Sequence, residues 1–163
     1  MTHFSVIVIL PKDVQPTTTD DAEQHIARLI AAYDENEQVE AYERVCPCAR
    51  SELLDTPSCT QCKGTGIYMS TYNPQSRWDW WVVGGRWEGM FDGEKDIDLV
   101  RNIKREEVAS HIVTPDGIWH ARGNVGWWGM FDATVSDEEW DNTVKGICAE
   151  HLDHVAVNID CHI

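Results

Sequence analysis

Four of the chain's six cysteines, Cys46, Cys48, Cys59 and Cys62, fall within one short stretch. The stretch reads Cys46-Pro47-Cys48, a loop, then Cys59-Thr60-Gln61-Cys62-Lys63-Gly64-Thr65-Gly66. Two close thiol pairs flanking a short loop can wrap one tetrahedral zinc with little strain. Gly64 and Gly66 let the backbone turn back after Cys62, so that amides can face the thiolates. Residues 38–70 show little hydrophobic periodicity, and this part of the chain is expected to be organised by metal rather than by core packing. We therefore read 44–70 as a zinc-knuckle insertion within a single domain spanning 1–163. Four soft protein ligands leave no open coordination position, which makes the expected site a structural staple rather than a hydrolytic centre. Reduced thiols in a loop and a redox-cycling pair are the alternatives for the same residues.

The remaining sequence describes a globular body. Nowhere does it approach the run of about eighteen apolar residues that a membrane span requires. The N-terminus, Met1-Thr2-His3-Phe4-Ser5-Val6, lacks a basic segment and a small-residue cleavage site, so a first strand is expected there rather than a signal peptide. Clustered cysteines without a leader predict a reducing, cytoplasmic setting and metal rather than disulfides. The formal net charge is −15. Its acids concentrate in 1–43 and 132–163, whereas 44–78 holds Arg44, Arg50, Lys63 and Arg77 against Glu52 and Asp55. So acidic a body repels phosphate overall, and a protein partner is expected before a nucleic acid.

Periodicity supplies the elements. Residues 3–10 are rich in Val and Ile and predict a buried strand. Asp20, with Glu23 three residues on, predicts a helix start, and Ala22, Ile26, Leu29, Ile30 and Tyr33 mark its apolar face. Gly84-Gly85 fits a two-residue hairpin turn, which would pair Val82 with Trp87 and put Trp78, Trp80, Val82 and Trp87 on one face. Residues 96–110 predict a helix, and Ile112 to Ala121 a hairpin about Pro115-Asp116-Gly117. Trp87-Glu88-Gly89-Met90-Phe91-Asp92 is echoed by Trp127-Trp128-Gly129-Met130-Phe131-Asp132, as two similar strands of one sheet would be. Ser136 and Glu139 form a capping box ahead of Trp140, Val144, Ile147 and Cys148. A closing strand, 153–163, alternates Val155, Val157, Ile159, Cys161 and Ile163 with His154, Ala156, Asn158, Asp160 and His162. The order predicts an α+β fold with a mostly antiparallel sheet and two or three helices, for which a ferredoxin-like arrangement is one candidate.

Two further constellations carry possible chemistry. If the first and last strands are neighbours, His3, Asp160 and His162 converge, and a His–Asp pair can do acid–base work or hold a metal. They are the candidate catalytic residues, set against a solvated polar face. Eight tryptophans between 78 and 140 fill a core or line a pocket; Trp78, Trp80, Trp81, Arg86 and Trp87 are the candidate ligand-binding set. Cys148, His151, His154, Cys161 and His162 have metal-like spacing, but both cysteines fall on apolar faces, which favours buried, inert thiols. No nucleophile elbow, phosphate loop or His-Glu-x-x-His is present.

Residues 59–66 resemble one repeat of the DnaJ-type zinc finger, CxxCxGxG. The likeness covers eight residues; Cys46 and Cys48 depart from it, and the His-Pro-Asp motif of a J-domain is absent. It implies the metal and a peptide-contacting knuckle. The Thr71-Tyr72-Asn73-Pro74 run, Trp78-Asp79-Trp80, Gly84-Gly85-Arg86-Trp87, Thr114-Pro115-Asp116-Gly117, Trp127-Trp128-Gly129 and Asp160-Cys161-His162-Ile163 together resemble a family of small uncharacterised proteins. That family is encoded by bacteriophages and some, notably actinobacterial, bacteria. The resemblance spans nearly the whole chain and implies a phage or prophage protein in the cytoplasm of a bacterial host, with no activity attached. The expected function is that of a zinc-binding accessory protein contacting a host or phage macromolecule. A small-ligand binder or enzyme, with an aromatic pocket and the His/Asp site, is the alternative.

Overall fold

The computed structural model describes residues 2–50, 58–104, 109–125 and 131–163. It is an α+β structure in two compact units, Met1–Asp34 with Gln75–Ile163, and Glu35–Pro74.

The larger unit is built on β1 (His3–Ile9) and the last strand, β10 (Val155–His162), paired antiparallel along their length from His3↔His162 to Ile9↔Ala156. β6 (His111–Val113) runs parallel to β1 on its other side, and β7 (Trp119–Ala121) completes a hairpin with β6. Beyond β10 lie two short strands in tandem. β4 (Trp80–Val83) pairs with Ile159–His162, and β5 (Ile97–Leu99) with Val155–Val157. The sheet is therefore mostly antiparallel, with one parallel pair. β8 (Gly123–Val125) and β9 (Phe131–Ala133) form a separate two-stranded ribbon.

Strand alternation sends Phe4, Val6, Val8 and Leu10 to one face and Ile7 and Ile9 to the other. On the first face they join Val155, Val157, Ile159 and Cys161, covered by Ala22, Ile26 and Ile30 of α1 (Thr19–Ile30). On the second, Ile7, Ile9, Ile112 and Ala156 meet Trp140, Val144 and Ile147 of α3 (Asp137–Glu150). Both faces are dry where the helices lie, which explains why every residue of β10 is buried. The helices cover opposite faces, and β6 beside β1 precedes the edge strand β7. A ferredoxin-like fold instead packs both helices on one face, so this strand order is a different α+β arrangement.

Several expectations are corrected. α1 is capped by Thr18, whose hydroxyl accepts the Asp21 amide, rather than by Asp20; Asp21 returns a carboxylate to the Thr17 amide. The helix expected over 96–110 is β5 followed by a 3₁₀ turn, Val100–Asn102. Pairing with β10 outweighs the local apolar spacing there, and residues 105–108 lie outside the described set. Gly84-Gly85 does not close a hairpin. The outer edge of β10 is free to receive β4, and the chain then turns away through a 3₁₀ turn, Gly85–Trp87. Of the echoed segments, 87–92 holds that turn and a loop rather than a strand, and 126–130 lies outside the described residues. The capping box of Ser136 and Glu139 and the hairpin about Pro115-Asp116-Gly117 form as expected.

The smaller unit, Glu35–Pro74, contains an antiparallel ribbon of β2 (Gln38–Val45) and β3 (Ile67–Tyr72) and a one-turn helix, α2 (Pro47–Arg50). Among its described residues the buried cluster is made of sulfur: Cys46, Cys48 and Cys62, with Cys59 and Tyr68 packed against them. Val45, Ile67 and Met69 remain exposed on one face of the ribbon.

Candidate metal centre and a histidine–aspartate row

The cysteine site grows out of the ribbon's open end. Cys46 follows β2, and its amide donates to the Gly66 carbonyl at 2.8 Å, so the two halves of the knuckle are joined by backbone. Cys48 sits in α2. After Cys62 the chain reverses through Lys63, Gly64 and Gly66, all at positive φ. Thr65 stabilises this turn, its amide and hydroxyl both donating to the Cys62 carbonyl at 3.0 and 2.7 Å. A side chain on Gly66 would press on Ala49 Cβ at 3.3 Å, which is why glycine suits the crossing point.

This folding brings all four sulfurs within 4.8 Å of one another. Cys46 and Cys59 are 3.7 Å apart, and Cys48 and Cys62 3.5 Å. A disulfide would need about 2.0 Å. Four thiolates at about 2.3 Å from a shared tetrahedral ion would stand roughly 3.8 Å apart, close to what is found. Electrostatics point the same way. The Cys62 amide, the Cys48 thiol and the Gln61 amide bring Cys59 down to about 6. At Cys62, burial pushes upward but is outweighed by the Gly66 amide, the Cys48 thiol and the Gly64 amide, and its value falls. Burial raises Cys46, and it drives Cys48 up to about 12, reinforced by hydrogen bonding to Cys46 and Cys62. Four sulfurs this close cannot all ionise without a cation among them. Among the described residues this quartet is the one group of three or more such side chains positioned to hold a metal ion.

The residues His3, Asp160 and His162 do converge. β4, β10 and β1 set Trp80, His162 and His3 side by side in one row across the sheet, with Val82, Asp160 and Ser5 in the next. His3 Nδ1 lies 3.0 Å from Asp160 Oδ1, and the Arg86 amide donates to Asp160 Oδ2 at 3.1 Å. Asp160 is 2% exposed. Sequence reasoning missed the fourth member, Asp79, whose carboxylate is 2.6 Å from His162 Nδ1 and whose amide donates to the His162 carbonyl. No local sequence signal marks it, because its role depends on the strand it precedes, β4, pairing with β10. Trp80 stacks on His162 at 5.5 Å and meets His3 edge-on at 5.6 Å.

The tryptophan set does not line one pocket. Trp78 is buried against α1, its indole N–H donating to the Ile30 carbonyl at 3.1 Å. Trp81 packs on the α1 face, opposite Trp80. Trp87 and the Arg86 side chain are exposed. Nor do Cys148, His151, His154, Cys161 and His162 gather into one site, although the His151 and His154 rings meet edge-on at 4.8 Å. His151 Nδ1 and His154 Nδ1 are taken by the carbonyls of Ile147 and Leu10. Cys161 is fully buried, with burial and the Asp160 charge holding its thiol well above the usual range. Cys148 packs beside the α3 cluster.

His111 was unremarked in the sequence. It is buried beside Phe4 and Trp119, with Nδ1 2.8 Å from Ser110 Oγ. Burial, aided by the Arg77 charge and opposed by hydrogen bonds involving Gly123 and Ser5, lowers its pKa to about 4. The folded chain thus binds fewer protons than the unfolded one between about pH 4 and 6.5. Stability should fall as pH drops through that window, by about 3 kcal/mol in total. Urea unfolding at a series of pH values checks this: His111→Gln should flatten the acid limb, and an unchanged slope would exclude His111 as its source.

No known protein family matches the chain, and no curated protein or solved structure is significantly similar to it.

Proposed function

We propose that this protein is a zinc-knuckle binding module of a phage or prophage, whose metal-stapled ribbon docks on a protein partner. The observation that carries the reading is the sulfur quartet, spaced for a tetrahedral ion with backbone amides directed at Cys59 and Cys62. Zinc is the ion of choice for four thiolates in a closed site. A site with no open position does no chemistry, so its role is to present the surface it holds. That surface is the ribbon face bearing Val45, Ile67 and Met69, with Met69 60% exposed. Beside it, an open groove of about 780 Å³ is lined by Gln61, Lys63, Tyr68 and Tyr72 among others. An apolar strand pair flanked by a groove suits an extended peptide, and the acidic body disfavours a nucleic acid.

The reading is tested by capture from lysate of a bacterial host with wild-type protein, Met69→Glu and Cys59→Ser. A specific protein retained by wild type should be lost with both variants, while Met69→Glu keeps its full zinc content. A partner held equally by all three would place the contact elsewhere, and purified protein with less than about half an equivalent of zinc and reduced cysteines would remove the premise.

A further inference from the structure

We propose that His3 and His162 form a second metal site, in the larger unit, that takes a borderline divalent cation such as zinc, cobalt or nickel through the two Nε2 atoms. His3 and His162 are directly opposed on antiparallel neighbours, so their side chains leave the same face of the sheet from adjacent origins. Their ring centres are 5.1 Å apart. Two imidazoles sharing a tetrahedral metal at about 2.1 Å per bond have ring centres roughly 5 Å apart.

Each ring is also supplied with the support that a metal-ligating histidine requires. An ionised carboxylate can only accept, so Asp160 and Asp79 make each Nδ1 the protonated nitrogen and leave the lone pair on Nε2. Among the described residues neither Nε2 has a hydrogen-bond partner, and neither is sealed from solvent as Asn158 Oδ1 is. Ring orientation is further held by Trp80, stacked on one imidazole and edge-on to the other.

Charge completes the case. The nearly buried Asp160 has His3 as its ionic partner among the described residues, and Asp79 faces His162. A dication on the Nε2 atoms would place positive charge close to both carboxylates, on a chain whose formal net charge is −15. Unlike the cysteine quartet, two protein ligands leave coordination positions open to water or to an incoming oxygen ligand.

The test is metal stoichiometry on the untagged full chain dialysed against micromolar free zinc, combined with imidazole nitrogen NMR. Two equivalents are expected, with both Nε2 resonances moved by metal and both Nδ1 still protonated. His3→Ala and His162→Ala should each remove one whole equivalent, His151→Ala none, and Asp79→Asn should weaken the second equivalent about 10–100-fold. Cys59→Ser should abolish the first equivalent and spare the histidine-dependent one, so failure of either site is seen separately. A wild-type protein whose zinc content is unchanged by both histidine substitutions overturns the proposal. Should the alanine variants fail to fold, the wild-type spectrum decides it: Nε2 resonances unmoved by zinc also overturn it.

Discussion

Removing the metal proposed for the cysteine quartet, or replacing Cys59 with serine, will unfold Glu35–Pro74 while the six-stranded sheet stays folded. The reason is how little apolar surface the described residues of that unit bury. Near forty residues, a chain segment seldom buries enough apolar surface to offset its ordering entropy without a metal or a disulfide. Here the buried cluster consists of Cys46, Cys48 and Cys62, with Cys59 and Tyr68 at its margin, while Val45, Ile67, Met69 and Tyr72 face solvent. The unit's folding free energy is then mostly the metal's, and apparent values for structural zinc run to about 10–16 kcal/mol. Without the ion, the sulfurs keep only weak thiol contacts, Cys46 to Cys59 at 3.7 Å and Cys48 to Cys62 at 3.5 Å, in place of four metal bonds. The larger unit has two apolar clusters of its own, one under each helix. Hydrogen exchange reads the difference residue by residue. The Cys46 and Thr65 amides and the β2–β3 ladder should lose protection on chelation, whereas β1 and β10 should keep theirs. Protection of 38–45 and 67–72 that survives metal removal would show that the ribbon stands on its own packing.

The elements that could be read in advance are those whose information is local. β1 and β10 declare themselves by β-branched alternation, α1 by Ala22, Ile26 and Ile30, α3 by its capping box and Trp140, and the knuckle by cysteine spacing. Each signal is a short-range pattern that tertiary structure had no reason to overrule. The misreadings share the opposite character. Gly84-Gly85 has the composition of a hairpin, but its conformation is decided by Asn158 and Asp160, more than seventy residues away. The Gly84 amide donates to the Asn158 carbonyl at 2.9 Å, and the Arg86 amide to Asp160 Oδ2. Asn158 also reaches back with its side-chain amide to the Trp87 carbonyl and to Asp96 Oδ1. Ile97, Val100 and Ile103 have helical spacing within 96–110, but 97–99 fill the stretch of β10 edge that β4 leaves open. The His3–Asp160–His162 convergence was legible because it needed one condition only, that first and last strands be neighbours. Asp79 was not, because its role depends on β4 joining β10, a pairing no local pattern encodes.

That long-range dependence makes Gly85 a position where one methyl group has a large expected effect. Gly85 has φ +61°, a region that costs a side-chain-bearing residue about 1–2 kcal/mol. An added Cβ would also lie 2.6 Å from Asp160 Cβ, 2.7 Å from its Oδ2 and 3.0 Å from Val82 Cγ1. Asp160 Cβ is one bond from the backbone of β10, which is paired on both sides, so it cannot retreat. Overpacking of this kind costs about 1–3 kcal/mol more. If the turn moves instead, the Arg86 amide leaves Asp160 Oδ2, a carboxylate oxygen loses its donor, and His3 loses a fixed partner. Gly85→Ala should therefore lower stability by about 2–5 kcal/mol, the sum of the two effects. Gly93→Ala supplies the control. Its φ is +74°, but its added Cβ would meet only Lys95 Cε at 4.0 Å, the far end of a flexible side chain, so only the backbone cost applies. Urea unfolding of the two variants separates conformation from contact. A Gly85→Ala loss no larger than that of Gly93→Ala would mean that the turn does not press on Asp160. A larger loss, accompanied by a shift of the His3 ring resonances, would establish that this glycine sets the carboxylate behind the histidine row.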